Sequence, residues 1–312
     1  MSNGDSLRKA QKTKEDEFYT QASDIENELK HYREHFRGQI VFCNCDDPTS
    51  SEFWKYFHLN FNLFGLKKLI STHYDAHEPT YKIEYTGGDD NEWTVGTKTR
   101  LRQNGDFRSE ECIDLLKEST ITVTNPPFSL FREYVDVLEK YDKKFIIIGS
   151  QNNVTYKEIF PLLKGNKVWL GYNYGDMAFK VPSYYEPRKT RYWQDETGQK
   201  WRSMGNICWY TNLDIRKRHE KLILWKHYTP EEFPNYDGYD AIEVGKVQDI
   251  PVDYSGVMGV PITFLTKYSP EQFEIVGIDR YTVPKDVLVG GRLAVNGKSK
   301  YARILIRRKD LV

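Results

Sequence analysis

Short apolar runs alternate along the first two-thirds of the chain with segments in which apolar residues recur every three or four positions. Four of the runs have the length and composition of buried strands, at residues 39–44, 66–72, 120–124 and 144–149. Helical spacing predicts helices at residues 25–36, 52–64, 109–116 and 130–138. Strands that alternate with helices are typical of βαβ units, in which neighbouring strands run parallel. We therefore expect an α/β domain on a parallel sheet.

The same pattern continues less regularly beyond residue 150. A helix is predicted over residues 156–163, and strands over 167–172 and 204–211. Two hairpins are expected, one joining residues 81–85 to 93–96 and one joining 192–193 to 200–202. After about Tyr228 the pattern changes to short strands and turns. We predict a disordered segment 1–14, a first domain 15–225 with a projecting insertion 173–203, and a C-terminal region 226–312.

Composition limits the classes of function that the chain can serve. Apolar residues make up 39%, and the 22 Tyr, 16 Phe and 7 Trp are ample for a core. The formal net charge is zero, which excludes a uniformly basic nucleic-acid coat, so nucleic-acid contacts must come from local patches. Residues 188–202, 216–221 and 303–309 are the candidate patches.

Cysteine content and hydropathy bear on the compartment. Four cysteines in 312 residues are too few for a disulfide scaffold and indicate a reducing cytoplasm. Cys43 and Cys45 have no second ligand pair at a zinc-like spacing, so no metal is expected. The sequence shows neither a signal peptide nor an apolar run of membrane length, which predicts a cytoplasmic protein without a membrane partner.

Asn125-Pro126-Pro127-Phe128 lies where a predicted strand ends and a predicted helix begins. Ligands of open α/β sheets bind beyond the carboxyl ends of the strands. The Asn125 side-chain carbonyl can accept a hydrogen bond from an NH2 group, and the prolines hold the Pro126 carbonyl as a second acceptor. Phe128 offers a face on which a base can stack. These residues suit the exocyclic amine of adenine or cytosine, or a side-chain amide. A proline-stiffened loop with a core phenylalanine is the structural alternative.

Further stretches, together with this loop, resemble the EcoRI-type adenine-specific DNA methyltransferases. The resemblance spans roughly residues 15–212, with a fainter match at 303–307. The stretches that carry it are Glu17-Phe18-Tyr19-Thr20-Gln21, Cys43-Asn44-Cys45-Asp46-Asp47-Pro48, residues 64–70, residues 105–112 with Gly105-Asp106-Phe107-Arg108, residues 123–131, residues 167–171 and residues 206–212.

This resemblance implies a Rossmann-like, S-adenosylmethionine-dependent methyltransferase fold with a smaller C-terminal target-recognition region. It makes residues 15–225 the catalytic domain and 226–312 the recognition region. S-adenosylmethionine would be the methyl donor, without a metal. A flipped-out adenine in double-stranded DNA would be the acceptor. A partner restriction endonuclease and the recognised sequence are left open, and a monomer is plausible.

Roles follow residue by residue from the resemblance. Asn125, Pro126, Pro127 and Phe128 would form the catalytic loop. Trp209 or Tyr210 would provide a second aromatic contact to the target base. The donor would be bound by the methionine-side motif Phe18, Tyr19 and Thr20, by the loop Asn44, Cys45, Asp46 and Asp47, by Asp75 at its ribose, and by Asp106 and Phe107 at its adenine.

One feature departs from the broader methyltransferase pattern, because the loop after the first strand contains no glycine. Three other functions stay open beside DNA methylation. The Asn-Pro-Pro loop also occurs in methyltransferases that act on RNA or on protein glutamine, although theirs usually ends in Tyr. A non-catalytic DNA-binding module could keep the same fold. A dinucleotide-binding dehydrogenase is disfavoured, since no Gly-x-Gly-x-x-Gly follows the first strand.

Overall fold

The computed structural model describes residues 18–77, 79–88 and 92–311. The predicted disordered segment 1–14 lies outside these residues. The chain divides into two compact units. The first contains the residues up to Ser150 together with Gly171–Leu213, and the second contains Gln151–Leu170 together with the residues from Asp214 onward. The pattern did not predict that residues 151–170 join the second unit. The functions assigned to the two regions stay predictions.

A nine-stranded sheet forms the framework of the first unit. Its strands are β1 Ile40–Cys43, β2 Lys68–Thr72, β3 Tyr81–Tyr85, β4 Thr97–Arg100, β5 Ile121–Thr124, β6 Lys144–Ser150, β7 Trp169–Lys180, β8 Tyr192–Gln194 and β9 Lys200–Thr211. The order is β4-β3-β2-β1-β5-β6-β9-β7, with β8 paired to β9. Strands β2, β1, β5 and β6 are parallel neighbours, while β3, β4, β8 and β9 pair antiparallel. The expected α/β architecture is confirmed, but the sheet is mixed, since only its centre is parallel and both sides pair antiparallel.

The helices of this unit lie where the apolar spacing placed them, with some changes of length. They are α1 Ala22–Leu29, α2 Arg33–Phe36, α3 Glu52–Leu59, α4 Phe61–Phe64, α5 Glu110–Glu118 and α6 Phe131–Lys140. A 3₁₀ turn, Lys30–Tyr32, divides α1 from α2. Helix α3 packs on β2, α5 on β1 and α6 on β6. Buried strands such as β5, which has no exposed position, are therefore covered by amphipathic helices.

Local capping chemistry explains where several elements begin and end. Ser51 accepts hydrogen bonds from the Phe53 and Trp54 N–H groups, which starts α3. Gly65 ends α4 in the left-handed region at φ 61°, and the Leu66 N–H donates back to the Phe61 carbonyl. Because Leu66 belongs to this cap, β2 begins at Lys68 instead of at the predicted residue 66.

The second arm of the first predicted hairpin is wrong in position. Strand β4 covers Thr97–Arg100, whereas residues 93–96 were expected. The structure instead fixes those residues to helix α3. The Trp54 indole N–H donates to the Trp93 carbonyl at 2.7 Å, and the His58 ring Nε2 lies 2.9 Å from the Val95 carbonyl. These side-chain contacts hold the segment outside the sheet.

The second unit contains a smaller sheet. Its elements are α7 Phe160–Lys164, α8 Asp279–Thr282, β10 Asn235–Tyr236, β11 Tyr239–Glu243, β12 Met258–Pro261, β13 Phe273–Ile278, β14 Ala294–Val295, β15 Lys298–Ser299 and β16 Arg303–Arg308. The five-stranded order is β10-β11-β12-β16-β13, and β14 and β15 form a separate hairpin. Helix α7 starts later than the predicted residue 156, because Pro161 suits only the first turn of a helix. Within the described ranges, no helix is long and apolar enough to cross a membrane.

Candidate active site

Two loops leave adjacent parallel strands at the same edge of the first unit's sheet. Strand β1 pairs with β5 through Val41 opposite Ile121 and Phe42 opposite Thr122. The loop of residues 44–51 follows β1, and the Asn125–Phe128 loop follows β5. Carboxyl ends of neighbouring parallel strands form the usual ligand-binding edge of such sheets. The expected position of the Asn-Pro-Pro-Phe loop, between a strand and a helix, is confirmed.

The last residue of β5, Thr124, joins the two loops. Its hydroxyl lies within hydrogen-bond distance of both the Asn44 carbonyl and the Asp46 carboxyl group. The Ser51 hydroxyl donates to Asp46 Oδ1 at 3.2 Å, and the Asn125 backbone N–H also bonds this carboxyl. Burial raises the pKa of Asp46 to about 7. In its protonated form Asp46 can donate a hydrogen bond to the Thr124 hydroxyl oxygen. The Thr124 hydroxyl then donates its own hydrogen bond to the Asn44 carbonyl.

The remaining residues of the first loop hold its shape without glycine. Cys45 takes the left-handed conformation, at φ 81°, which glycine adopts more easily. The Asn44 side-chain oxygen accepts a hydrogen bond from the Thr72 hydroxyl at 3.1 Å. Asp47 accepts from the Thr49 backbone N–H at 3.0 Å and from the Tyr81 hydroxyl at 2.9 Å. The side chains of the loop are therefore held by hydroxyl groups on both β2 and β3.

The side-chain amide of Asn125 has a hydrogen-bonded nitrogen and an unpaired oxygen. Its amide nitrogen donates to the Phe18 carbonyl at 2.6 Å. Its amide oxygen is buried and has no hydrogen-bond partner in the described protein. Since buried polar atoms are nearly always paired, an unpaired acceptor at a loop of this kind indicates a ligand that donates a hydrogen bond.

The Phe128 ring lies against Phe18. Their centroids are 5.4 Å apart with an angle of 21° between the planes, which is a stacked arrangement. Phe179 on β7 meets both rings edge-on, 5.7 Å from Phe18 and 6.1 Å from Phe128. The predicted methionine-side motif and the predicted catalytic loop are thus in direct contact.

The Phe18–Thr20 segment is held by main-chain hydrogen bonds to the end of β7. The Tyr19 N–H donates to the Lys180 carbonyl at 2.9 Å, and the Lys180 N–H donates back at 3.1 Å. The Thr20 hydroxyl and the Gln21 side-chain nitrogen are buried, and neither has a hydrogen-bond partner in the described protein. Together with Asn125, this region therefore contains three unpaired buried polar atoms.

Glu28 anchors the helix that follows this segment. It is fully buried on α1 and accepts hydrogen bonds from the Tyr172 and Asn173 backbone N–H groups at 2.9 and 2.8 Å. The Tyr32 hydroxyl and the Asn173 side-chain amide also donate to it, each at 2.8 Å. Burial raises the pKa of Glu28, and these donors oppose that rise. A Cβ atom at Gly171 would lie 2.1 Å from a Glu28 oxygen, which explains the glycine there.

A cleft of about 500 Å³ opens beside these residues within the first unit. Tyr19 and Thr20 line one side, and Thr49 and Ser50 of the first loop line another. The rest of the wall comes from α3 and the β7–β9 region and mixes charged, polar and apolar residues, at Glu52, Lys55, Lys180, Val181, Pro182, Ser183, Gly198, Gln199 and Lys200. A cleft of this size can accept part of a drug-sized ligand.

Asp75 and Asp106 lie on neighbouring segments past the end of β2. The Asp75 N–H donates to the Asn104 carbonyl at 3.0 Å, and the Asp75 carboxyl caps the His77 N–H at 2.8 Å. Gly105, which lies between Asn104 and Asp106, is in the left-handed region at φ 76°. A Cβ atom there would lie 2.0 Å from the His73 carbonyl oxygen. Only glycine permits this close approach.

The side chains of Asp106 and Phe107 both contact neighbouring residues of the protein. The Arg108 guanidinium lies 2.7 Å from the Asp106 carboxyl, and the hydrogen bonds from Arg108 outweigh desolvation and lower the pKa of Asp106. Phe107 is buried and meets Tyr134 edge-on with centroids 5.0 Å apart. A donor adenine would share Asp106 with this arginine.

Trp209 and Tyr210 lie in the core on β9, with exposures of 0% and 1%. Trp209 packs on Phe53, and Tyr210 packs on Phe131 while its hydroxyl donates to the Ser150 carbonyl at 2.8 Å. Neither ring offers a free face in this conformation, and their role at the target base stays a prediction.

Several cations of the predicted basic patches serve the fold itself. In the second unit, Arg303 and Arg308 are each 6% exposed, and Arg303 is paired with Glu243. The Arg218 guanidinium stacks 3.8 Å from the Trp169 ring. These cations are poor candidates for phosphate contacts.

Sequence reasoning missed Thr124, Thr72 and Phe179. Thr124 could have been noticed as the last strand residue before Asn125, where a side chain can reach the neighbouring loop. Thr72 and Phe179 carried no comparable signal, because their contacts with the site depend on how distant strands pair.

Comparisons with known proteins agree over nearly the whole chain. The family described as "Adenine-specific methyltransferase EcoRI" matches residues 6–309. The chain is 50% identical to the Type II methyltransferase M.EcoRI of Escherichia coli, over 98% of this chain and 97% of that protein. It is 38% identical to M.MgeORF184P of Mycoplasma genitalium and 36% identical to M.MpnI of Mycoplasma pneumoniae, each over 98% of this chain and 99% of the relative. No solved structure matches the chain significantly.

Proposed function

Because this chain belongs to the adenine-specific methyltransferase EcoRI family, and is an enzyme of that type, we propose that it methylates the N6 amine of an adenine in duplex DNA. S-adenosylmethionine is the methyl donor, and the adenine is rotated out of the helix before reaction. Chemistry on a base inside a duplex requires such extrusion, at a cost of about a few kcal/mol. The fold of the first unit is a Rossmann-like methyltransferase domain, and the second unit recognises the target sequence.

The unpaired Asn125 oxygen carries this proposal. It is a buried acceptor at the carboxyl edge of the sheet, where an NH2 donor would satisfy it. The Pro126 carbonyl, in a loop stiffened by two prolines, is the second acceptor. Two acceptors on one amine hold both its hydrogens and draw the nitrogen lone pair out of conjugation with the ring. The nitrogen is then oriented and nucleophilic without a covalent enzyme intermediate.

Residues next to this acceptor fit the methyl donor. The donor is a sulfonium compound that carries an amino acid, a ribose and an adenine, and when bound it supplies an electrophilic methyl group. The unpaired Thr20 hydroxyl and Gln21 amide nitrogen suit its amino-acid end. Asn44 to Asp47 would form the donor loop, Asp75 would bind the ribose, and Asp106 with Phe107 would contact the adenine.

The aromatic residues define where the base enters. Phe128 stacks on the target adenine, and its present partner Phe18 is part of the segment that closes over the donor. Since Asn125 also bonds the Phe18 carbonyl, the acceptor site and the donor site are aligned by one contact. Alignment of two bound reactants can by itself contribute several kcal/mol, on the order of 7–11 in favourable cases.

The biological setting follows from the same proposal. The enzyme acts in a bacterial cytoplasm on double-stranded DNA, as the modification partner of a restriction-modification system.

Incubation with methyl-labelled S-adenosylmethionine and DNA, RNA or a protein extract tests the substrate class. Label on N6 of adenine in DNA is expected, and label on RNA or protein glutamine alone would refute the proposal. Sequencing of the product with detection of modified bases then gives the recognised sequence. Binding of DNA without any transfer would support a non-catalytic DNA-binding module instead.

A further inference from the structure

The second unit carries a small, rigid hairpin that the active site does not use. Strands β14 and β15 pair through Ala294 opposite Ser299 and Val295 opposite Lys298. The two residues between them, Asn296 and Gly297, both have positive φ, at 51° and 73°. This is the geometry of a tight type I′ turn, whose twist matches that of a two-stranded ribbon.

The hairpin is fixed at its root and at its turn. Leu293 and Val295 are buried in a cluster with Tyr236 and Leu305. The Asp237 carboxylate accepts hydrogen bonds from the Asn296 and Gly297 N–H groups, at 3.0 and 2.7 Å. A two-stranded ribbon alone is only marginally stable in water, so this carboxylate and the buried root give it a defined shape.

The outer residues of the hairpin are polar, basic and aromatic. Asn296, Gly297, Lys298 and Ser299 are exposed, and Tyr301 is 88% exposed. No acidic residue occurs between Asp286 and Asp310 in the sequence. Tyr301 lies in the bend that follows β15, and an exposed tyrosine of this kind is typical of a recognition surface, because its ring covers a large area with little loss of entropy.

We infer that the hairpin of residues 294–301 is a DNA-reading element, in which Lys298 and Lys300 contact phosphates and Tyr301 contacts the target site within a groove. This inference rests on the proposed action on duplex DNA. A two-stranded ribbon fits the major groove, which is about 12 Å wide. The positive charge of the lysines complements the phosphates, whereas Arg303 and Arg308 of the neighbouring predicted patch are buried. Tyr301 is the residue that determines specificity.

The charge part of the inference is tested with two double variants. K298A/K300A removes both hairpin lysines, and K246A/K267A removes two other exposed lysines of the same unit. Affinity for a duplex that contains the methylated sequence is measured over a range of salt concentrations. The hairpin variant is expected to lower the slope of log affinity against log salt by about 2, because each phosphate contact contributes roughly one. The control variant is expected to keep the wild-type slope. Equal losses in the two variants would overturn the inference.

The specificity part is tested with Tyr301→Ala and Tyr301→Phe. We expect Tyr301→Ala to lower kcat/KM on the cognate duplex at least about tenfold, and to reduce the preference for that duplex over a single-mismatch duplex. Affinity for S-adenosylmethionine, measured without DNA, should be unchanged, and Tyr301→Phe should recover part of the activity if the ring face makes the contact. Wild-type specificity in Tyr301→Ala would overturn the inference while leaving the proposed function intact. Absence of DNA methylation by the wild type would instead refute the proposed function.

Discussion

The side-chain amide of Asn125 donates to the backbone carbonyl of Phe18 at 2.6 Å, across 107 residues of sequence. This hydrogen bond turns the Asn125 oxygen away from Phe18 and leaves it as the unpaired acceptor. The same two segments are joined again by the stack of Phe18 on Phe128. A loop that presents an acceptor and a segment suited to the methyl donor are therefore parts of one arrangement.

Replacing Asn125 tests this arrangement directly. Asn125→Ala removes both the acceptor and the bond to Phe18, and we expect kcat to fall about 10²–10³-fold, the usual effect of losing one preorganised polar group. Asn125→Asp keeps an acceptor but cannot donate to the Phe18 carbonyl, so it should also be strongly impaired. Single-turnover methylation measures the effect. Asn206→Ala, which removes a 2.8 Å bond to Ser150 in the same unit, is the control and should retain most activity.

Asp46 should make stability depend on pH. Burial raises its pKa in the folded protein to about 7, above its ordinary value near 4. The folded protein therefore holds this proton more tightly than the unfolded chain. Its contribution to stability is fully present below pH 4 and is lost as the pH rises to 7, at no more than about 1.4 kcal/mol per pH unit. Urea unfolding from pH 4 to 8 measures the dependence. Asp46→Asn should flatten it in this range, and parallel curves for the two proteins would contradict the assignment.

We predict that Gly105 is required for stability both because of its positive φ and because no side chain fits beside it. Gly105→Ala would place a Cβ atom 2.0 Å from the His73 carbonyl oxygen. Gly198 shares a similar positive φ of 81°, but a Cβ atom there would meet nothing within 4 Å. Gly198→Ala should therefore lower the free energy of unfolding only by the strain of an alanine at positive φ, about 1–2 kcal/mol. Gly105→Ala should lower it clearly more.

The difference in the free energy of unfolding between these two alanine variants measures the cost of the close contact between a Cβ atom at position 105 and the His73 carbonyl. Gly105→Ala should also weaken binding of S-adenosylmethionine, because it displaces Asp106 and Phe107. Equal destabilisation by the two substitutions would show that the backbone adjusts around Gly105.

Glu28 is expected to be a major contributor to stability. Glu28→Gln replaces an acceptor of four hydrogen bonds with an amide whose NH2 faces other donors. Leaving buried donors unpaired costs about 1–3 kcal/mol each, so a loss of several kcal/mol is expected. Glu26→Gln changes an exposed residue of the same helix and should stay within about 0.5 kcal/mol of the wild type. Chemical denaturation compares the two, and a mild Glu28→Gln would indicate that water or rearrangement satisfies the donors.

The sequence alone determined the βαβ order, the position of the Asn-Pro-Pro-Phe loop and the family resemblance. These properties depend on local patterns, because periodicity reports which face of an element is buried and because proline, glycine and capping residues act within one turn. Ser51 and Gly65 behave in the structure as their local chemistry predicts. The same local rules failed for residues 93–96, whose carbonyls are bound by Trp54 and His58 instead of by a neighbouring strand.

Only the tertiary structure decided which distant groups meet. The partners of Asn125, Glu28 and Asp46 lie across strands and loops whose pairing no local pattern encodes. Burial of Trp209, Tyr210, Arg303 and Arg308 likewise follows from packing, and it separates structural side chains from those available to a substrate. The hairpin at residues 294–301 could be proposed as a recognition element only from the folded structure. The exposure of Tyr301 and the hydrogen bonds of Asp237 to the turn exist only once the chain is folded.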